Sequence, residues 1–262
     1  MDACSISHQA ESLTQDEPLK GVMKVARLSI LRQTKSFLKS TFPRGAHAYG
    51  KVKDYSRDIL LRGRDAESIF SEIYERNLWN DPESASGRGS TLQRTTMIRG
   101  ILPALLRDVG AESLLDAPCG DFNWMRSTEL CSVKYIGADV VPSPIARNEQ
   151  RYGRDDRQFV VLDITKSAIP KVDVILCRDC FSHLSFRNIF SALANFKRSN
   201  SEYLFATTHT KAREHRDIAT GQGRYVNLQL SPFNFPEPER LIVEDEELGK
   251  CLGIWRFQRL LR

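Results

Sequence analysis

Two hydrophobic rhythms run along this chain. Over residues 91–109 the apolar positions Leu92, Ile98, Ile101, Leu102, Leu105 and Leu106 keep the three-and-four spacing of an amphipathic helix. Pro103 lies inside that helix and predicts a kink or a restart there. From residue 113 the rhythm changes to short, unbroken apolar runs that alternate with helical stretches. Strands are expected at 113–117, 134–140, 158–164 (QFVVLDI), 171–179 (KVDVILCRD) and 201–209 (SEYLFATTH). Helices are expected at 122–130, at 142–152 (PSPIARNEQRY), where Pro144 suits a first turn, and at 185–199 (SFRNIFSALANFKRS). Runs such as VDVILC and YLFAT suit strands covered on both faces of a parallel sheet. Repeated β–α units with short links predict an α/β fold with a doubly wound, mostly parallel sheet. The closing CLGIWRFQRLL reads as a last strand, placed antiparallel.

Upstream the pattern fades. Residues 1–18 are polar without a period and are expected to be a disordered tail. Residues 19–85 are expected to form a basic helical extension, broken near Pro43, Gly45 and Gly50 and running into the polar loop NDPESASGRGST. Residues 86–262 then make the main domain. Near 210–241 prolines, glycines and a lost period predict a long loop or lid.

At 262 residues and 41% apolar content, the chain is long enough to bury one large α/β core. No run approaches the roughly 18 apolar residues of a membrane span. The polar, acid-containing start reads as neither a secretory signal nor a transit peptide, and six scattered cysteines suit reduced thiols. A cytoplasmic location is expected. Charge changes the picture in one place. Residues 20–64 hold twelve Lys/Arg against two acids, a surplus of ten, so the chain's net +5 leaves the remainder near −5. That segment is either a solvated basic face or a surface drawn to anionic lipid or nucleic acid. Its Val22, Val25, Leu28, Leu31, Phe37 and Leu38 lend it some amphipathic character.

The stretch LLDAPCGDFNW, residues 114–124, sits where the first strand of the sheet ends. In such sheets ligands bind at strand carboxyl ends near the topological switch point. The phosphate-binding patterns G-x-G-x-x-G and G-x-x-x-x-G-K-[ST] are absent, which argues against a dehydrogenase. Asp116, Pro118, Gly120 and Phe122 instead follow the D-x-G-x-G-x-G spacing of class I S-adenosylmethionine-dependent methyltransferases, with Pro118 and Phe122 replacing two glycines. Asp139 ends the second strand, Asp163 the third, and VILCRDCFSHL runs on from the fourth. On these residues the chain resembles that family over roughly 90–209, less so over the end and not over the first part.

The resemblance implies a Rossmann-like, seven-stranded methyltransferase fold with S-adenosyl-L-methionine as cofactor. It implies Asp116, Pro118, Cys119, Gly120, Asp121 and Phe122 around the cofactor's amino-acid end. Asp139 would take the ribose hydroxyls and Asp163 the adenine amino group, with Val140 and Ile164 against the ring. Cys177 and Arg178 would lie near the methyl. Taken singly, an Asp at a strand end is as readily a helix cap; the ordered set on successive strands is what points to a ligand.

An alcohol acceptor must lose a proton during methyl transfer, so a base is sought beyond the fourth strand. His183 and Asp179 are the catalytic candidates. His183 also reads as a packed or capping histidine, and Asp179 as a substrate ligand or a partner of Arg178. His209, Asn227 and Gln229 are the candidate substrate contacts, with Phe233 and Phe235 offering rings to a sugar; plain loop packing is the alternative. Ser90 in SGRGST reads either as an N-cap or as part of a cover on the cofactor. Cys177-x-x-Cys180 lacks a second pair at zinc spacing, so no metal is expected.

The (Asp/Asn/Ser)-Pro-Pro-(Tyr/Phe) motif of many base amino-methyltransferases is missing, and CRDC stands in its place, which favours oxygen as the accepting atom. DAPCGDFNWM, YIGADVVP, ILCRDCFSHLSF and TGQGRYVNLQLSPFNFPEP together resemble a bacterial group of sugar O-methyltransferases. That group includes nodulation enzymes that methylate the fucose 2-hydroxyl of lipochitooligosaccharides. The resemblance implies a glycan or glycolipid acceptor, which a basic extension peripheral to the inner face of the membrane would suit. Two other readings stay open: a nucleic-acid or protein methyltransferase that uses the basic segment, with nucleic acid the less expected, and a non-catalytic module that binds S-adenosylmethionine.

Overall fold

The computed structural model describes residue 61 and residues 63–260. The expected tail and most of the basic extension lie outside the described residues. Among the described residues, α1 (Ala66–Glu75) and α2 (Thr96–Asp108) lead into β1 (Ser113–Asp116) and β2 (Lys134–Asp139). Next come α3 (Pro142–Tyr152), β3 (Arg157–Val161), β4 (Val174–Cys177), α4 (Phe186–Arg198) and β5 (Tyr203–His209). β6 (Arg240–Asp245) and β7 (Lys250–Arg256) close the sheet. Its seven strands stand in the order β3-β2-β1-β4-β5-β7-β6. β1 to β5 pair in parallel, while β7 runs antiparallel to both β5 and β6. The order reverses at β1 and β4, so the switch point lies at the carboxyl ends of those two strands.

Alternation along each strand builds the two layers. Leu114, Val174, Leu176 and Phe205 join Ile98, Leu102, Leu105 and Leu106 of α2 and Ile145 of α3 in one core. Leu115, Ile175, Leu204 and Ala206 join Ile189, Ala192 and Phe196 of α4 in the other. Each such side chain, fully buried, contributes roughly 1.5–3 kcal/mol, so the strand ends that carry the polar loops stand on a rigid base. Ser185 caps α4 by accepting from the Asn188 N–H at 3.2 Å. α3 begins at Pro142, with Pro144 also in its first turn. No helix among the described residues is long and apolar enough to cross a membrane.

Two expectations need correction, and one alternative closes. α2 is one helix through Pro103, without a restart. Residues 122–130 hold only a short 3-10 turn, Met125–Ser127. Phe122 adopts φ 58°, and residues 122–125 are buried in an unbroken run before Arg126, Ser127 and Glu129 reach solvent, so burial here does not follow a helical period. β6 lies partly inside the expected loop at 210–241. It is an edge strand whose Leu241 and Val243 face solvent, so it lacks the buried signature of the others.

Candidate functional site

A cavity of about 640 Å³ opens at the switch point, above the carboxyl ends of β1, β2, β4 and β5. Its floor is the turn after β1. The Ala117–Pro118 peptide is cis, the Cys119 N–H donates to the Ala138 carbonyl at 2.8 Å, and Gly120 adopts φ 55°. A Cβ on Gly120 would lie 2.9 Å from the Ser86 Cβ, so only glycine fits this crossing. Asn148 of α3 donates to the Gly120 carbonyl at 2.9 Å and ties the turn to the next helix.

Asp116 and Asp139 line the cavity from neighbouring strand ends. Asp116 accepts the Tyr135 hydroxyl at 2.7 Å, and burial pushes its carboxyl up to about 7. Asp139 accepts the Gly120 N–H and the Val141 N–H, one on each oxygen, both at 3.0 Å. Burial pushes it up to about 6. A carboxylate has about four lone-pair sites, so each Asp139 oxygen keeps capacity for one further donor. Val140, Leu162 and Ile164 give the same end an apolar surface. Asp163 also lines it, but its Oδ1 already accepts the Thr165 N–H at 2.8 Å and the Thr165 hydroxyl at 2.6 Å.

The segment before α2 covers this turn. Ser84 Oγ donates to Asp121 at 2.8 Å, the Asp121 N–H donates to Ser86 Oγ at 2.9 Å, and Asn123 donates to Glu83 at 2.8 Å and to the Ser90 carbonyl at 3.0 Å. Asp121 therefore anchors the cover and does not line the cavity, whereas Ser86 to Ser90 do line it. Phe122 packs in a ring cluster with Tyr135, Tyr152 and Phe159 behind the turn. Cys119 lines the cavity, and burial drives its thiol well above the usual range. Cys177 is buried in the sheet, outside the lining, with its thiol raised by burial as well. No group of three His, Cys, Asp or Glu suited to a metal occurs among the described residues.

Beyond β4 the lining turns cationic and aromatic. Arg178 is buried against Glu244, with contacts at 2.6 and 3.0 Å, donates to the Gly89 carbonyl at 3.0 Å and lies 5.2 Å from the Trp124 ring centroid. Asp179, at φ 54°, contacts Lys250 Nζ at 2.6 Å and Arg178 at 3.2 Å. Burial opposes its ionisation, but Arg178 and Lys250 outweigh that and hold the carboxyl well below the usual range. It is ionised and weakly basic. The same carboxylate fills the space beside Gly89, where a Cβ would lie 2.6 Å from Oδ2.

His183 and His209 both line the cavity. His183 Nδ1 lies 2.9 Å from the Gln222 carbonyl, which only accepts, so the neutral ring carries its proton on Nδ1 and its lone pair on Nε2. His209 Nδ1 is 3.4 Å from both the carbonyl and the N–H of Val226, and burial lowers its pKa. Residues 221–226 thus set both imidazoles: the Gly221 N–H also donates to the His183 carbonyl and the Arg224 N–H to the Ser182 carbonyl. Asn227 and Gln229 lie outside the lining. Asn227 Oδ1 accepts the Gln229 N–H at 3.1 Å, and the Asn227 N–H donates to His215, so both shape the loop. Lys250, Trp79, Arg224 and Tyr225 line the cavity without a sequence signal to mark them, because nothing local sets them apart from packing residues.

The fold is that of class I S-adenosylmethionine-dependent methyltransferases, as three solved structures illustrate. The N-methyltransferase NodS from Bradyrhizobium japonicum WM9, in complex with S-adenosylhomocysteine, is 16% identical over 71% of this chain and 97% of its own, with TM-score 0.53. Human N-acetylserotonin methyltransferase in complex with S-adenosylmethionine is 13% identical over 84% of this chain and 69% of its own, also at 0.53. A 1,6-didemethyltoxoflavin-N1-methyltransferase from Burkholderia thailandensis, with S-adenosylhomocysteine bound, is 18% identical over 72% and 86%, at 0.53. No protein-family model matches the chain, and no curated protein matches it in sequence.

Proposed function

We propose that this chain is an S-adenosylmethionine-dependent O-methyltransferase whose acceptor is a sugar hydroxyl of a glycan or glycolipid, such as the fucose of a lipochitooligosaccharide. The observation that carries the reading is a single cavity at the switch point with Asp139 at one end and a tautomer-fixed His183 at the other. The neighbours with S-adenosylmethionine or its product bound support the cofactor. When bound, that cofactor supplies an electrophilic methyl on a positively charged sulfur.

This chain's residues divide the remaining work. Asp139 accepts the ribose hydroxyls beside its backbone bonds, and Gly120 lets the main chain come close to the amino-acid end. Asp116 places negative charge near the cationic sulfur, and Val140 and Ile164 face the adenine ring. Cavity walls that align acceptor and methyl supply roughly 7–11 kcal/mol of the barrier reduction. His183 Nε2 takes the hydroxyl proton, while Nδ1–H stays on the Gln222 carbonyl; such a base contributes about 10²–10⁴-fold. Asp179 is too weak a base for that step and instead neutralises Lys250 and Arg178. The charge surplus of residues 20–64 supports a peripheral contact with anionic lipid, which suits a lipid-bearing acceptor; co-sedimentation with anionic vesicles at low and high salt tests it.

Transfer of a labelled methyl group to a fucosylated chitooligosaccharide tests the whole reading. Wild-type protein is expected to label it, and His183→Gln to lose about 10²-fold or more in kcat with cofactor affinity kept. Equal turnover in the variant would remove His183 from the chemistry.

A further inference from the structure

Resting on the methyltransferase reading, we propose that Trp79 is the acceptor platform of this cavity and that it takes a saccharide ring on one face. Asp139 ends β2, on one side of the switch point; His183 follows β4 and His209 ends β5 on the other. On that second side Trp79 and Tyr225 line the cavity together with the two histidines. The Trp79 and His183 ring centroids are 5.4 Å apart with planes at 44°, and those of Tyr225 and His209 are 4.8 Å apart at 37°.

In each pair the rings touch one another, so no flat molecule fits between them. Each pair makes a one-sided surface, not a pair of jaws. Gly87 packs against the root of Trp79, where a Cβ would lie 3.2 Å from the Trp79 Cβ and 3.3 Å from its Cγ, and the Phe70 ring centroid lies 6.5 Å from that of the indole. A sugar ring matches such a surface, because its C–H face packs on the rings while its hydroxyls reach the imidazoles at the edge. A flat phenol or heterocycle stacks on the same surface through one π-face but brings fewer hydroxyls to the imidazoles at its edge. Arg224 borders the same wall and stacks on Phe186 at 4.8 Å. Its Nη1 donates to the Leu184 carbonyl at 2.7 Å, which fixes the guanidinium beside the wall.

Tryptophan fluorescence reads this directly. Trp255 lies outside the cavity and Trp124 lines it but is buried, whereas Trp79 is half-buried at the wall, so Trp79→Phe isolates its share of the signal. The full chain, saturated with S-adenosylhomocysteine, is titrated with methyl α-L-fucoside, fucosylated chitotriose and, as flat probes, p-cresol and adenine. The expected result is quenching by the saccharides that disappears in Trp79→Phe. In methyl transfer, Trp79→Ala is expected to raise KM about 10- to 50-fold with kcat changed only a few-fold, and Trp79→Phe to recover part of it. S-adenosylhomocysteine affinity unchanged in both variants shows that they fold. Quenching by the flat probes but not the saccharides, quenching by neither, or an unchanged KM in Trp79→Ala would overturn the proposal while leaving the methyltransferase reading standing. Failure of the wild-type chain to bind S-adenosylhomocysteine would instead bring down that reading first.

Discussion

A carboxyl shut in a dry cavity resists ionisation, and Asp116 and Asp139 both carry that mark, at about 7 and about 6. Both hold protons in the folded chain at pH values where the unfolded chain has released them. Each therefore removes stability as pH rises from about 4, Asp139 up to about 6 and Asp116 up to about 7. Asp116→Asn is expected to raise the unfolding free energy by on the order of 2 kcal/mol at pH 8 and by little at pH 4. The same change weakens cofactor binding, since the charge it deletes faces the cavity. Urea unfolding at the two pH values checks this; equal effects at both would show that Asp116 does not carry a raised pKa. The acids were legible in the sequence because strand ends fix where an Asp must point. The pairing of Asp179 with Arg178 was legible too, but not the second cation: Arg178 and then Lys250, 71 positions away, hold its carboxyl low.

At the scale of elements, the site is held by contacts between segments far apart in the chain. Arg178 at the end of β4 joins Glu244 of β6 to the Gly89 carbonyl of the cover. Both charged side chains are only 3% exposed, so the pair is dry. Removing one partner of a buried pair costs about 3–5 kcal/mol because it strands the other. For a domain of this size that is about 6–20 °C in Tm. Glu244→Gln is expected to show a drop of that order in a thermal melt, with weaker cofactor binding as the cover loosens. A drop under about 2 °C would mean that Asp179 alone satisfies Arg178.

The parallel strands and α2 to α4 could be read from period and turn residues, since both depend on which face is buried. Residues 122–130 and β6 could not. The first is a turn that opens on a buried left-handed residue, Phe122, and the second an edge strand with apolar residues in water. The 210–241 stretch was legible as a long loop, but its working part is 221–226, chosen by backbone groups that no side-chain pattern announces.

At the scale of the whole molecule, the doubly wound sheet brings β2 and β3 to one side of β1 and β4 and β5 to the other. One cavity thereby gains an acidic, partly apolar end and an imidazole-rich, aromatic end without any strand spanning both. On the proposed function, the acidic end seats a sulfonium nucleoside through Asp139. Calorimetric titration with S-adenosylhomocysteine and S-adenosylmethionine at pH 8, where Asp139 is ionised, tests it most directly. Wild-type protein is expected to bind at about micromolar strength, and Asp139→Ala to bind at least about 100-fold more weakly, a loss of roughly 2.7 kcal/mol, while still melting cooperatively. No binding by the folded wild-type chain, or equal binding by Asp139→Ala, would contradict it.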